Sequence, residues 1–390
     1  MRDHPDTALM LLDVVMETDD SGLEVARCIR EEVRNQLVRI VLRTGQPGQA
    51  PEDKVIIGYD INDYKTKTEL TTQKFLTAVV MGLRAFRDLT IIEAHRRELQ
   101  RMVEATDRFV PREFLSFLKK QSIIDVELGD HAEMGMTILF SDIRSFAALS
   151  EPMTPAENFE FINSYLKSAG PIIRKNHGFV GKYTGDGLMG LFPSQVDDAV
   201  VAAIETLETL SVYNSQREQQ GQVPIGIGIG VHAGEVMLGT VGEEKRMQGD
   251  AMSDSVNLAR RIESLTKMYG TPILISEGAY SRLQDPSRYA IRLVDCVQVQ
   301  GRSESVTLYE VFDGDPPDIA KLKRQTLDDF ERGLCLYRQR QFTEAKHCFN
   351  NMLQTNDRDA LAGLYVQRCK QYQIDGVPDD WEGITVLVGK

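Results

Sequence analysis

Two carboxylates stand where apolar runs give out. Asp142 lies in Phe140-Ser141-Asp142-Ile143-Arg144-Ser145-Phe146, and Asp186 lies in Gly181-Lys182-Tyr183-Thr184-Gly185-Asp186-Gly187-Leu188-Met189-Gly190. Each has an ordinary reading on its own. Ser and Asp are good helix N-caps, and Gly-Asp-Gly between two β-type runs is hairpin-turn chemistry. On adjacent strand ends the two acids gain a second reading. Hard divalent cations choose carboxylate oxygen, and Mg²⁺ commonly takes one or two carboxylates plus substrate phosphates. A pair such as Asp142 and Asp186 could hold two ions about 4 Å apart and clamp an in-line displacement at phosphorus. A third segment runs from Lys245-Arg246-Met247-Gln248-Gly249-Asp250 through Ser253 to Asn257 and Arg261. It reads as a polar turn feeding a helix that starts near Ser253. Asn257 and Arg261 are four apart and share one helix face. An amide beside a guanidinium can hold a ribose and stabilise charge growing on a phosphate; the plain alternative is a solvated helix face.

The elements that must position these residues divide the chain into four pieces. Residues 1–88 read strand, helix, strand, helix, strand, helix, which argues a parallel α/β sheet. Its strands are expected over Leu9–Met16, over Leu37–Leu42 and in a run ending near Tyr64. A helix is expected over Leu23–Val33 and another from Thr71 to Phe86. Residues 89–121 are helical and charged. Ile92, His95, Leu99, Met102, Thr106 and Phe109 alternate at spacings of three and four, the seam of a short coiled coil or one face of a plain amphipathic linker. Residues 122–315 form the largest unit. Strand-like runs at Met134–Phe140, Gly178–Tyr183, Leu188–Phe192, Pro224–His232, Ala290–Val299 and Val306–Phe312 alternate with long helical stretches. That pattern suggests an α/β sandwich on a partly antiparallel sheet. Residues 318–390 are helical up to Gln373, with amphipathic segments at Leu327–Arg340, Thr343–Leu353 and Arg358–Tyr372. They look like one and a half tetratricopeptide repeats. The fold class is therefore α/β and multidomain.

Composition narrows the function classes. The chain has 390 residues, 42% apolar and 26% charged, which excludes wholesale disorder and a fibrous repeat. Asp and Glu outnumber Lys and Arg by 58 to 45, for a net charge of −13. Non-specific binding to nucleic acid or anionic lipid is disfavoured. No apolar run reaches membrane-spanning length, and the acidic start is unlike a signal peptide. The five cysteines are scattered without a CxxC pair, as expected of reduced thiols in a cytoplasmic protein.

Taken in order, the three chemical segments resemble the signature of the class III nucleotidyl cyclases, the adenylate and guanylate cyclase catalytic domain. The resemblance runs from Phe109 to Phe312. It includes Phe109-Val110-Pro111-Arg112-Glu113-Phe114-Leu115, Gly228-Ile229-Gly230-Val231-His232-Ala233-Gly234 and Gly242-Glu243-Glu244-Lys245-Arg246-Met247. It implies a ferredoxin-like α/β domain in which Asp142, the Ile143 backbone and Asp186 hold two Mg²⁺ or Mn²⁺ ions. The backbone from Ile143 to Phe146 would cradle phosphates. The ribose 3′-oxygen would attack the α-phosphate of ATP and release pyrophosphate. Asn257 would orient the ribose and Arg261 would stabilise the transition state. Lys245 or Arg246 would meet the triphosphate. Lys182, four before Asp186, and Asp250, seven before Asn257, match the adenine-reading pair. Adenine offers an acceptor at N1 to the lysine and a donor at N6 to the carboxylate; guanine reverses both edges. One departure is Gln300-Gly301-Arg302, where many relatives carry a lysine; Arg302 would take over the γ-phosphate contact. In the family, metal acids and purine-reading residues come from opposite subunits, so the resemblance implies a homodimer with two composite sites.

Residues 1–88 are similar to the second half of a flavodoxin-like response-regulator receiver. Asp13 stands at the phosphoacceptor, Thr44 at the switch hydroxyl and Lys65 at the lysine. A first strand, helix and second strand are missing, so the receiver is partial or degenerate. An upstream histidine kinase, another regulator, bicarbonate and a partner of the C-terminal helices are all open as activators. Two competing readings remain. One is a guanylate cyclase, against which Lys182 and Asp250 argue. The other is an inactive regulatory scaffold, against which the filled acidic, Asn and Arg positions argue.

Overall fold

The computed structural model describes residue 4 and residues 6–45, 52–298 and 305–386. Arg302, Gln300 and Gly301 fall outside them. The chain divides into two compact units, Met1–Phe109 and Val110–Lys390.

In the first unit β1 (Leu9–Asp13), α1 (Ser21–Arg27), β2 (Arg39–Thr44), α2 (Glu52–Gly58), β3 (Asp63–Thr66) and α3 (Thr72–Thr106) follow one another. The three strands are parallel and lie in the order β1-β2-β3. Leu12, Ile40, Leu42 and Tyr64 meet Leu23 and Ala26 of α1, and Ile29 just after it, in one core. The expected helix ending at Phe86 and the expected linker helix beginning at 89 are one 35-residue helix. No Gly or Pro interrupts the sequence between Arg84 and Thr106, so nothing breaks the helix at 88. It ends before Pro111, after which α4 (Arg112–Phe117) starts within the second unit.

The second unit is built on β4 (His131–Ile143), α5 (Phe146–Ser150), α6 (Pro155–Lys175), β5 (Phe179–Thr184), β6 (Gly187–Phe192), α7 (Val196–Gln219), β7 (Ile227–Glu243), β8 (Arg246–Met252), α8 (Asp254–Tyr269), β9 (Ile273–Ser276), α9 (Glu277–Tyr280), β10 (Ile291–Gln298) and β11 (Ser305–Val311). Then come α10 (Pro317–Gln325), α11 (Leu327–Arg338), α12 (Phe342–Thr355), α13 (Ala360–Asp375) and β12 (Thr385–Val386). Among the described residues these strands form one mixed sheet, β12-β10-β11-β9-β7-β4-β6-β5, with β8 paired to β7. The β4-α6-β5-β6-α7-β7 run in the spatial order β7-β4-β6-β5 is the split βαβ arrangement of ferredoxin-like folds. Alternation along β4 sends Leu139 and Ile143 into the core with α6 and α7, and Met136, Ile138 and Phe140 to the opposite face with Ala259 of α8. Pro155 at the first turn and a Thr154/Glu157 capping box start α6.

One expectation needs correction. Residues 246–252, read as a polar turn, form β8, a mostly exposed strand paired antiparallel to the outer half of β7. Its polar composition hides it because it is a hairpin arm with little core to face.

The C-terminal helices are packed into the second unit. Arg292 on β10 is 1% exposed and reaches Glu310 and Asp359, the latter at 2.7 Å; Lys323 on α10 reaches Glu310 at 2.6 Å and Asp315 at 2.5 Å. Burial alone would depress the Arg292 pKa, and the two carboxylates outweigh it and raise it. Removing one member strands the others in a dry site. Arg292→Ala should therefore lower the unfolding free energy by about 3–5 kcal/mol in urea denaturation.

Candidate active site

β4 and β6 pair antiparallel up to Ser141 opposite Leu188. Asp142 is the next residue on β4, and Asp186 sits in the tight β5–β6 turn beside it. A Cβ on Gly187 would lie 2.4 Å from Ser141 O and 2.7 Å from Asp142 Oδ1. The turn closes on β4 only because that Cβ is absent. Behind it the Ser141 hydroxyl hydrogen-bonds the buried Tyr165 hydroxyl at 2.8 Å.

The electrostatics follow from this closeness. Burial, then the Asp186 charge, push Asp142 up to about 6, while the Ile143 N–H and the Arg260 guanidinium pull the other way. Glu263 on α8 is pushed up to about 7 by burial and then by the Asp142 charge. Asp142 Oδ1 is buried and accepts no hydrogen bond. A buried oxygen without a donor, beside a second carboxylate, suits a hard cation. Among the described residues no group of three or more His, Cys, Asp or Glu could hold a metal by itself. The pair would then share its ion with a ligand such as a phosphate.

The expected phosphate cradle is narrower than its sequence. The Arg144 N–H is committed to Gly226 O at 2.8 Å, and the Ile143 N–H favours the Asp142 carboxylate. Phe146 opens α5, and its ring stacks on Phe161 with centroids 6.2 Å apart.

The purine-reading candidates meet. Lys182 Nζ donates to Asp250 Oδ2 at 2.8 Å. A bulge between Val180 and Lys182 turns the lysine toward β8. Asp250 is held by the Ala251 N–H at 2.9 Å and by Gln248 Nε2 at 3.3 Å. Lys245 and Arg246 lie at the exposed tip of the β7–β8 hairpin.

Ser253 caps α8 by accepting the Val256 N–H at 3.1 Å. The helix lies directly on β7, where a Cβ on Gly230 would be 2.2 Å from Glu263 N. Glu263 and Arg260 are the α8 residues whose charges act on Asp142 or are acted on by it. At about 100° per residue, Arg261 lies about 160° and Asn257 about 120° around the helix from Glu263. Both are exposed. Arg261 thus lies on the far side of α8 from Glu263, while Asn257, about 60° from Arg260, lies on its flank.

Three residues of the site were not singled out in the sequence. Arg260 and Glu263 differ from Asn257 and Arg261 only in helical phase, which needs the sheet contact to be read. Arg144 follows the metal strand and clamps the end of α8, donating from Nη2 to Thr266 O at 3.1 Å and Thr271 O at 2.6 Å.

In the first unit Asp13 pairs with Arg43 at 2.9 Å and Lys67 at 3.3 Å, and Lys65 pairs with Asp63 at 2.8 Å. No helix among the described residues is long and apolar enough to cross a membrane.

A bound cation must displace the Asp142 proton. Mn²⁺ affinity measured by calorimetry should be nearly flat above pH 7 and weaken about tenfold per unit below about pH 6. Asp186→Ala should abolish the binding heat.

Residues 130–311 match the family model of the adenylate and guanylate cyclase catalytic domain. An adenylate cyclase of Anabaena cylindrica is 41% identical over 220 residues, 55% of this chain and 44% of the relative. The terminal-differentiation-specific adenylate cyclase of Dictyostelium discoideum is 35% identical over 281 residues, 70% of this chain and 13% of the relative. The chain therefore spans less than half the length of either curated relative. A crystal structure of the guanylyl cyclase Cya2 is 33% identical and covers 47% of this chain and 94% of its own, with a TM-score of 0.41. Residues 130–311 thus carry an adenylate and guanylate cyclase catalytic domain.

Proposed function

We propose that the chain is an adenylate cyclase that converts ATP to 3′,5′-cyclic AMP and pyrophosphate as a homodimer. The Lys182–Asp250 pair carries the choice of base. A lysine donor beside a carboxylate acceptor fits N1 and N6 of adenine and mismatches both edges of guanine, leaving buried groups unpaired. The pair closes on itself at 2.8 Å, so a purine enters by opening it.

The facing of α8 supports the dimer. Asn257 and Arg261 are exposed, and Arg261 lies about 160° around α8 from Glu263, where a second copy would meet it. Two divalent cations, Mg²⁺ or Mn²⁺, would, when bound at Asp142 and Asp186, acidify the ribose 3′-hydroxyl and offset the triphosphate charge. The chain's own residues do the positioning. Asn257 orients the ribose, Arg261 meets the charge that develops at the α-phosphate, and Lys245 or Arg246 meets the triphosphate. The seam residues of α3 also favour a second copy: Ile92, Leu99 and Met102 are each more than half exposed.

We infer in addition that residues 1–88 are receiver-like, with Asp13 at the phosphoacceptor position. Three parallel strands in sequential order and the two cations around Asp13 support this. The three amphipathic helices α11–α13 support a TPR-like reading of residues 318–390.

Two tests follow from the composite site. Asp186→Ala and Arg261→Ala should each be nearly inactive alone. Mixed equally and allowed to exchange, they should recover about a quarter of wild-type cyclic AMP formation, since half the dimers then hold one intact site of two. No recovery would contradict shared sites. Lys182→Glu with Asp250→Cys should shift the ATP-to-GTP preference in kcat/KM by about a hundredfold or more toward GTP.

A further inference from the structure

The far end of α8 is held by residues outside the segment that matches the cyclase family. The helix finishes at the fully buried Tyr269, followed by Gly270 at φ 66°. A Cβ on Gly270 would lie 2.4 Å from Ala360 Cβ, so α13 begins directly against the end of α8. The Tyr269 hydroxyl donates to Asp295 Oδ2 at 2.7 Å. Arg368 Nη1, from α13, donates to the same oxygen at 2.7 Å, and Thr385 Oγ1 at 2.8 Å. The Arg368 guanidinium also lies 5.8 Å from the Tyr269 ring centroid and 5.2 Å from that of Tyr365. Tyr365 donates to Val294 O at 2.7 Å. Asp295 is 2% exposed and sits where the β10–β11 register shifts.

A carboxylate so buried persists only with a cation and a filled set of hydrogen bonds. Arg368 supplies the cation. The apolar side of α8 continues the same contact: Leu258, Ile262 and Tyr269 share one core with Leu361, Ala362, Tyr365, Val366 and Cys369 of α13. Leu258 directly follows Asn257, and Ile262 directly follows Arg261. Whatever seats Leu258 and Ile262 therefore sets the rotation at which Asn257 and Arg261 are presented.

We propose that Arg368 and Asp295 are positioning residues for α8: by joining its end to α13 they fix the axial position and rotation of Asn257 and Arg261. This rests on the cyclase reading given above. The C-terminal helices then belong to the frame of the catalytic domain. A displacement of about 1 Å in a positioned group can cost about a hundredfold in rate.

The test uses the full chain with Arg368→Ala, Arg368→Lys, Arg261→Ala and the double variant R261A/R368A. Steady-state kinetics with ATP and Mn²⁺ are read beside amide hydrogen exchange across Asn257–Thr266. Arg368→Ala should lower kcat about ten- to a hundredfold and leave KM for ATP within about twofold. Arg368→Lys should restore most of kcat. In the Arg261→Ala background, Arg368→Ala should cost clearly less than in wild type, because the share that acts through Arg261 is already gone and only the share through Asn257 remains. Exchange across α8 should rise in Arg368→Ala while that of His131–Ile143 stays put. Wild-type kcat with unchanged α8 exchange would overturn the proposal. So would an equal fold-loss in both backgrounds, the result of a merely smaller folded fraction. A wild-type chain that makes no cyclic nucleotide would sink the cyclase reading by itself. Exchange across α8 would then decide the positioning claim, raised exchange supporting it and unchanged exchange overturning it.

Discussion

Two carboxylates fixed side by side in a half-buried turn make ionisation costly, and a cation between them relieves that cost. The β4–β6 pairing imposes that proximity on Asp142 and Asp186, and Gly187 lets the turn close tightly enough to do it. Much of the surrounding structure follows. Burial and the second acid hold the Asp142 proton to about pH 6, and Arg260 offsets them only in part. The orphaned Oδ1 keeps a place for an oxygen-seeking ion. The fold thus stores an electrostatic demand that a divalent cation meets better than a proton at neutral pH.

The same sheet fixes what the demand can be used for. α8 lies so close to β7 that Gly230 has no room for a side chain. Its near side is therefore occupied by Glu263 and Arg260, while Asn257 and Arg261 are exposed. In the proposed reading a single chain carries the metal acids at one place and the ribose and phosphate contacts at another. The proposed homodimer would join them across a two-fold interface. The end of α8 is gripped from two directions. Arg144 grips it from the strand that carries Asp142, and Asp295 with Arg368 grips it from the C-terminal helices.

Much of this was legible in the sequence, because the chemistry sits at element boundaries that have strong local signals. Apolar runs ending in Ser-Asp and in Gly-Asp-Gly mark the ends of β4 and β5, and Ser253 marks the start of α8. The residues that stayed hidden depend on long-range packing. β8 is polar and nearly coreless, so its hydrophobic pattern is weak, and only its pairing to β7 makes it a strand. Arg144, Arg260 and Glu263 read as ordinary helix and turn charges until the sheet brings them together. The α3 helix runs past residue 88 because nothing in its sequence stops it. The buried Arg292 and Asp295 clusters join segments tens of residues apart and carry no local motif.

The most direct measurement is product analysis of the purified chain with ATP and with GTP in Mn²⁺, beside Asp186→Ala. The account predicts 3′,5′-cyclic AMP and pyrophosphate from ATP with wild type, little cyclic GMP, and neither product from the variant. Cyclic GMP as the main product, or cyclic AMP formed equally well without Asp186, would contradict it.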